Sequence, residues 1–248
     1  MKSLIRIIPS LLISKGRLVK GKKFENHRDV GKPHTTAIAL SSQIADEMLV
    51  CDLDAYIDKN IEPDYSTLLK ISKATMTPLT FGGGINSLDR AKKAFDNGAD
   101  KIYLNSVLFK DINLVEKIAN IYGSQSIMLG VNLVKKKGKI NILDKPEINL
   151  MKWFNFLQEL KIGEIKITFV DLEGSQNGMD IETSKKLIKH SKLPLIFEGG
   201  IGNLEHIILA LKNDIRTISL GTMIYFLDYN IIKIKQYIHN NNFEVRLK

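Results

Sequence analysis

The chain has 248 residues, 44% hydrophobic and 25% charged, with a formal net charge of +9. That mix excludes a disordered chain and suits one large core, since α/β barrels reach about 250 residues without dividing. The lysines are dispersed apart from Lys135, Lys136 and Lys137, so the charge reads as solvated helix surface with no nucleic-acid module, and no run approaches the roughly 18 apolar residues of a membrane span.

Short β-rich apolar runs alternate with longer segments of helical period, the pattern of parallel strands joined by crossover helices. In chain order the sequence predicts strands near residues 5–11, 48–53, 78–81, 101–104, 126–131, 164–170, 194–197 and 217–220. Helices are expected between them, among others over 88–97 closed by Gly98, 113–121 closed by Gly123, and 204–212. The apolar start, residues 1–14, is interrupted by Arg6 and lacks a small-residue cleavage site, so it reads as the first strand of a cytoplasmic protein rather than a signal peptide. Cys51, the single cysteine, lies in an apolar run, reads as a core thiol and can form no internal disulfide.

An internal repeat organises these elements. Phe81-Gly82-Gly83-Gly84-Ile85 matches Phe197-Glu198-Gly199-Gly200-Ile201 at an offset of 116 residues, and Asn105-Ser106 falls opposite Gly221-Thr222 at the same offset. Asp52-Leu53-Asp54 also resembles Asp171-Leu172-Glu173, each after a strand. The expectation is a single (β/α)8 TIM barrel over residues 1–248, made of half-barrels of about 1–122 and 123–248. A doubly wound open sheet is the alternative, but nothing in it requires a half-length repeat.

Loops after barrel strands build the site of this fold, and phosphates bind where glycine turns and helix N-termini present free backbone N–H groups. Gly83, Gly84, Asn105 and Ser106 form one candidate phosphate cradle; Gly174, Gly199, Gly200, Gly221 and Thr222 form another, with Ser175 nearby. Two cradles across one mouth fit a small molecule phosphorylated at both ends. Glycine triplets also serve tight turns for structural reasons, and the duplication favours the phosphate reading. His27, His34, His190, His206 and His239 have no metal-ligand spacing, and the glycine run lacks a P-loop lysine; neither metal nor cofactor is expected.

Arg6-Ile7-Ile8-Pro9, Gly16-Arg17-Leu18-Val19-Lys20-Gly21, Phe24-Glu25-Asn26, Gly98-Ala99-Asp100-Lys101, Gly123-Ser124-Gln125, Gly163-Glu164-Ile165 and Val245-Arg246-Leu247, together with the glycine motifs, resemble the HisF family over nearly the whole chain. The resemblance implies the cyclase subunit of imidazole glycerol phosphate synthase, a lyase-type partner of a HisH-type glutaminase, which draws ammonia through the barrel for histidine biosynthesis. It assigns an ammonia gate to Arg6, Glu47, Lys101 and Glu164, and a glutaminase-facing position to Asp100.

The two catalytic aspartates of the family would stand at Leu12 and Asn132. Leucine holds no proton and a neutral amide cannot replace a carboxylate base. General acid–base help contributes about 10²–10⁴ in rate per group, so cyclisation should be all but lost unless a spare carboxylate, Asp52, Asp171 or Glu173, takes over. A kept gate under a changed rim resembles a HisF-like branch tied to surface-sugar (lipopolysaccharide) biosynthesis, in which ammonia serves a sugar amidotransferase that makes an acetamidino group; Glu62-Pro63-Asp64-Tyr65 also resembles that branch. A true histidine-pathway cyclase is the alternative.

Overall fold

The computed structural model describes residues 4–248, so the first three residues of the apolar start lie outside it. Eight parallel strands close on themselves: β1 (Arg6–Ser14), β4 (Met48–Asp52), β5 (Leu79–Gly82), β6 (Lys101–Leu104), β7 (Ile127–Lys136), β9 (Glu164–Phe169), β10 (Leu195–Glu198) and β11 (Thr217–Leu220), the last pairing with β1 through Arg6↔Thr217 and Pro9↔Leu220. This is a (β/α)8 barrel, and the open-sheet alternative falls with that closure.

Three further strands lie outside the ring: β2 (Arg17–Lys22), β3 (Glu25–Gly31) and β8 (Lys139–Ile142). The first two extend β1 as an antiparallel hairpin (Leu12↔Val19), while β8 turns back on β7 (Lys136↔Lys139). Their turns place Lys15, Gly16, Lys137 and Gly138 at positive φ, which glycine takes freely and other residues take at a cost. The lysine run near 135–137 is thus a hairpin arm.

The outer layer comprises α1 (Pro33–Ser42), α2 (Leu53–Ile57), α3 (Tyr65–Ala74), α4 (Leu88–Asp96), α5 (Asn113–Tyr122), α6 (Leu150–Gln158), α7 (Ile181–His190), α8 (Leu204–Lys212), α9 (Thr222–Phe226) and α10 (Ile231–Asn240). Side chains of Ser87, Asn149, Asp180, Asn203 and Asn230 accept the free N–H three residues on, starting α4, α6, α7, α8 and α10. The helices bury their apolar faces on the outside of the barrel, in one cluster that includes Leu11, Phe81, Ile102, Phe154 and Phe197. Inside the barrel a separate layer, Ile8, Leu49, Met128 and Ile196, packs together with Cys51 and Tyr103 against it. No helix among the described residues is long and apolar enough to cross a membrane.

Candidate functional site

Strand alternation sends every second side chain inward, so each strand stacks its inner residues from floor to mouth. At the floor stand Arg6, Glu47, Lys101 and Glu164, from the starts of β1, β4, β6 and β9. They close a circuit of alternating charge: Arg6 meets Glu164 at 2.6 Å and Glu47 at 3.6 Å, and Lys101 meets Glu47 at 2.8 Å and Glu164 at 2.9 Å. The Thr80 hydroxyl donates to Glu47, and Arg6 Nε donates to Thr217 Oγ1 at 3.2 Å. Burial opposes charge on Lys101, yet its two carboxylate neighbours outweigh that and raise its pKa. Burial likewise opposes charge on Glu164, but Arg6 and Lys101 hold its pKa below the ordinary value. Asp100, exposed beside this ring, accepts the Leu79 N–H at 2.8 Å.

Above the floor lies the apolar layer, and above that a cavity of about 560 Å³. Leu12 and Asn132 both line it, as do Gly83, Gly84, Asn105, Ser106, Asp52, Lys59, Lys110 and His27. The volume suits a sugar-phosphate-sized molecule. Gly83 and Gly84 have φ of +91° and +74°, and a Cβ on Gly83 would lie 2.0 Å from the Asp52 carbonyl, so only glycine fits between the two loops. Arg90 on α4 fixes this edge by donating to the carbonyls of Gly84, Lys59 and Ile61 at 2.8–3.0 Å.

Gly174, Gly199, Gly200, Gly221 and Thr222 line a second recess of about 20 Å³. Lys20, carried in by the β2–β3 hairpin, fills it: a Cβ on Gly221 would be 2.7 Å from Lys20 Cε and Nζ. The ammonium pairs with Glu173, both groups being buried, and the Lys23 N–H donates to the Glu173 carbonyl at 3.1 Å. Thr222 Oγ1 is buried without a partner at this recess. Ser175 keeps to its own loop, accepting the Asn177 N–H at 3.3 Å.

Of the three carboxylates considered as substitutes, Asp52 is held by backbone N–H groups of Ala55 (3.1 Å) and Asp64 (2.7 Å), with burial raising its pKa. Glu173 is held by Lys20, and Asp171 is half-buried in the loop after β9. The residues that sequence reasoning missed are Lys166 on β9 and Glu198 on β10. They line the base of the large cavity, 2.5 Å apart, both nearly fully buried. Lys166 also donates to Thr168 Oγ1 at 2.7 Å, and Ser219 Oγ donates to Glu198 at 3.2 Å. Burial opposes both charges, but each partner outweighs it: the Lys166 pKa is raised and the Glu198 pKa lowered, so the pair is ionised. Burial pushes the Cys51 thiol up to about 12 and the Tyr103 phenol to about 12, so neither is a thiolate or phenolate at neutral pH. Among the described residues no group of three or more His, Cys, Asp or Glu could hold a metal ion.

The pattern of a family described as histidine biosynthesis proteins matches residues 6–230. Proteins named imidazole glycerol phosphate synthase subunit HisF are similar throughout: that of Chlorobium limicola is 35% identical over 249 aligned residues, covering 98% of each chain. Those of Chlorobium phaeobacteroides and Chlorobaculum parvum are 35% and 34% identical, again covering 98% of each chain.

Proposed function

This chain belongs to the HisF family, and from that premise we propose that it receives ammonia from a HisH-type glutaminase and passes it through the barrel floor to the mouth. The nitrogen serves an amidotransferase step on a surface sugar, and the two-carboxylate cyclisation of the histidine pathway is absent. One observation carries the reading: a complete ring of alternating charges, Arg6, Glu47, Lys101 and Glu164, lies beneath a mouth where Leu12 and Asn132 occupy the positions the resemblance gives to aspartates. A neutral amine crosses an apolar layer such as Ile8, Leu49, Met128 and Ile196 far more cheaply than an ammonium ion does.

The test is co-purification with a HisH-type glutaminase from the same source and measurement of glutamine hydrolysis. Binding with stimulated hydrolysis, lost in Lys101→Met, is expected; no binding and no stimulation would discard the reading. The full-length likeness to HisF subunits favours a second reading, the histidine-pathway cyclase itself. Feeding the barrel the ribulosyl substrate and an ammonium salt at alkaline pH separates the two, because turnover at the rate of the relatives would establish the cyclase.

A further inference from the structure

Two of the four floor charges follow the same local pattern. Glu47 comes after Ile44-Ala45-Asp46, and Lys101 after Gly98-Ala99-Asp100. In each, the first residue has positive φ, +65° at Ile44 and +94° at Gly98, and the aspartate clasps one residue of the preceding strand at two points. The Asp46 N–H donates to the Ile7 carbonyl at 3.2 Å while its carboxylate accepts the Ile7 N–H at 2.8 Å; Asp100 does the same to Leu79, with both bonds at 2.8 Å. The Asp46 clasp carries the pairing of β1 and β4, whose ladder begins at Ser10↔Leu49, down to the level of Arg6 and Glu47.

The two clasps differ in what holds them. Glycine takes positive φ freely, whereas a β-branched residue such as Ile44 takes it only under constraint from its surroundings. Here the constraint is Lys235 on α10, which is 1% exposed and donates to the Ile44 carbonyl at 2.6 Å and to Asp46 at 2.7 Å. Arg246 adds bonds to the Ala45 carbonyl at 2.8 Å and to Asp46 at 3.3 Å. Burial outweighs the pull of Asp46 and lowers the Lys235 pKa, so the lysine is held there against its solvation. A buried ion pair is weak evidence of stability. One that also maintains a strained turn beside a ring of charges points to a segment that must be kept in place.

We propose that Asp46, locked by Lys235, is a positioning residue for the floor ring: it fixes the spacing of Arg6 and Glu47 and so keeps Glu47 on Lys101. That purpose rests on the delivery reading, since a ring that meters an amine must hold its geometry; the clasp itself does not. Lys101 reports the position of Glu47. Burial lowers the Lys101 pKa, and Glu47, ahead of Glu164, raises it above the ordinary value.

The experiment follows the Lys101 side chain of the full chain by ¹³C NMR as a function of pH. Asp46→Ala/Lys235→Met removes the clasp and leaves no buried unpaired charge, and Asp46→Asn removes the charge but keeps an acceptor for the Ile7 N–H. The Lys101 titration should move down in the double variant and stay at the parent's in Asp46→Asn. Phe154→Leu, a core change on α6, should lower stability without moving it. In complex with the HisH-type glutaminase from the same source, the double variant should stimulate glutamine hydrolysis at least about tenfold less than the parent, as misplacement remote from a reacting group does. A folded double variant with the parent's Lys101 titration overturns the proposal. So does an Asp46→Asn shift as large as the double's, which would mark lost charge and not lost position. Should the double variant not fold, Lys235→Met decides: losing a positive charge alone would push the Lys101 titration up, so a downward move supports the lock and any other result overturns it. A parent barrel that fails to stimulate the glutaminase discards the delivery reading and leaves the Lys101 result standing, so the two fail separately.

Discussion

The two glycine cradles descend from one repeated pattern yet present opposite surfaces. In the first, Gly83 and Gly84 are half-buried on the wall of a cavity of about 560 Å³, with Asn105 and Ser106 beside them. In the second, Gly199, Gly200 and Gly221 are buried around a recess of about 20 Å³ occupied by Lys20. The backbones are alike: the matched Gly83 and Gly199 have φ of +91° and +114°, and a Cβ on them would lie 2.0 Å from the Asp52 carbonyl oxygen and 2.6 Å from that of Phe169. What differs is the hairpin, which lays a lysine on one cradle and leaves the other open. Repetition of the chain thus copies the cradle, and the extra strands decide which copy a ligand can reach.

Breaking the lysine cover gives the largest effect. Glu173→Ala leaves the Lys20 ammonium buried without its partner and should cost about 3–5 kcal/mol, read from the urea midpoint. The freed ammonium should then accept an anion at Gly221, so inorganic phosphate should raise the melting temperature of this variant more than that of the parent. Equal shifts in both would mean that the second cradle stays closed to anions without Glu173.

The shared backbone is tested next. Gly83→Ala and Gly199→Ala should each lose at least about 1–3 kcal/mol, because positive φ and a close carbonyl oxygen are hostile to a side chain in both halves. A loss in one half alone would show that the repeat is of sequence and not of strain.

The halves also differ in the sign of their response to acid. Burial raises the Asp52 pKa, so this group favours the fold when protonated and loses that contribution as pH rises through its folded value. Glu198 is opposite: although burial would raise its pKa, Lys166 lowers it, so its contribution is present above the ordinary value of 4.5 and lost as pH falls through the folded one. Stability plotted against pH below that value should fall less steeply in Lys166→Met/Glu198→Leu and more steeply in Asp52→Asn than in the parent. Matching slopes would mean that the two carboxylates are equivalent.

Much of this was legible in the sequence. All eight barrel strands were placed, because short continuous apolar runs alternating with segments of helical period report a buried parallel sheet directly. β1 and β7 run past the predicted ends, to Ser14 and Lys136, since both continue into hairpins whose turns rest on Lys15 and Lys137 at positive φ. No sequence rule marks a lysine for that conformation. The cover on the second cradle was hidden for the same reason, as Lys20 lies on the unexpected strand β2. The pair at Lys166 and Glu198 could have been found. Once Glu164 is taken as facing the axis, alternation sends Lys166 and Thr168 the same way, and Glu198 stands where the first half has Gly82. A charged residue in a strand ordinarily signals the solvent side, whereas the inner face of this barrel carries charged groups on both sides of its apolar layer.

The smallest effects come from the hydroxyls at the two cradles, and they sharpen the contrast most. Ser106→Ala removes a polar group from the open cavity and should weaken inorganic phosphate binding by about 0.5–1.5 kcal/mol, measured by calorimetry. Thr222 is its counterpart in the repeat, but its Oγ1 is already buried without a hydrogen bond. Removing an unsatisfied buried hydroxyl relieves a desolvation cost, while the lost methyl leaves a small void, and the two terms nearly cancel. Thr222→Ala should therefore leave stability within about 0.5 kcal/mol of the parent and leave phosphate affinity unchanged. In the Glu173→Ala background the same substitution should weaken phosphate binding, because only there is the second cradle open to an anion. A Thr222→Ala effect on phosphate affinity in the parent would show that Lys20 lifts away from Gly221 in solution, and the two cradles would then differ in how often they open rather than in whether they do.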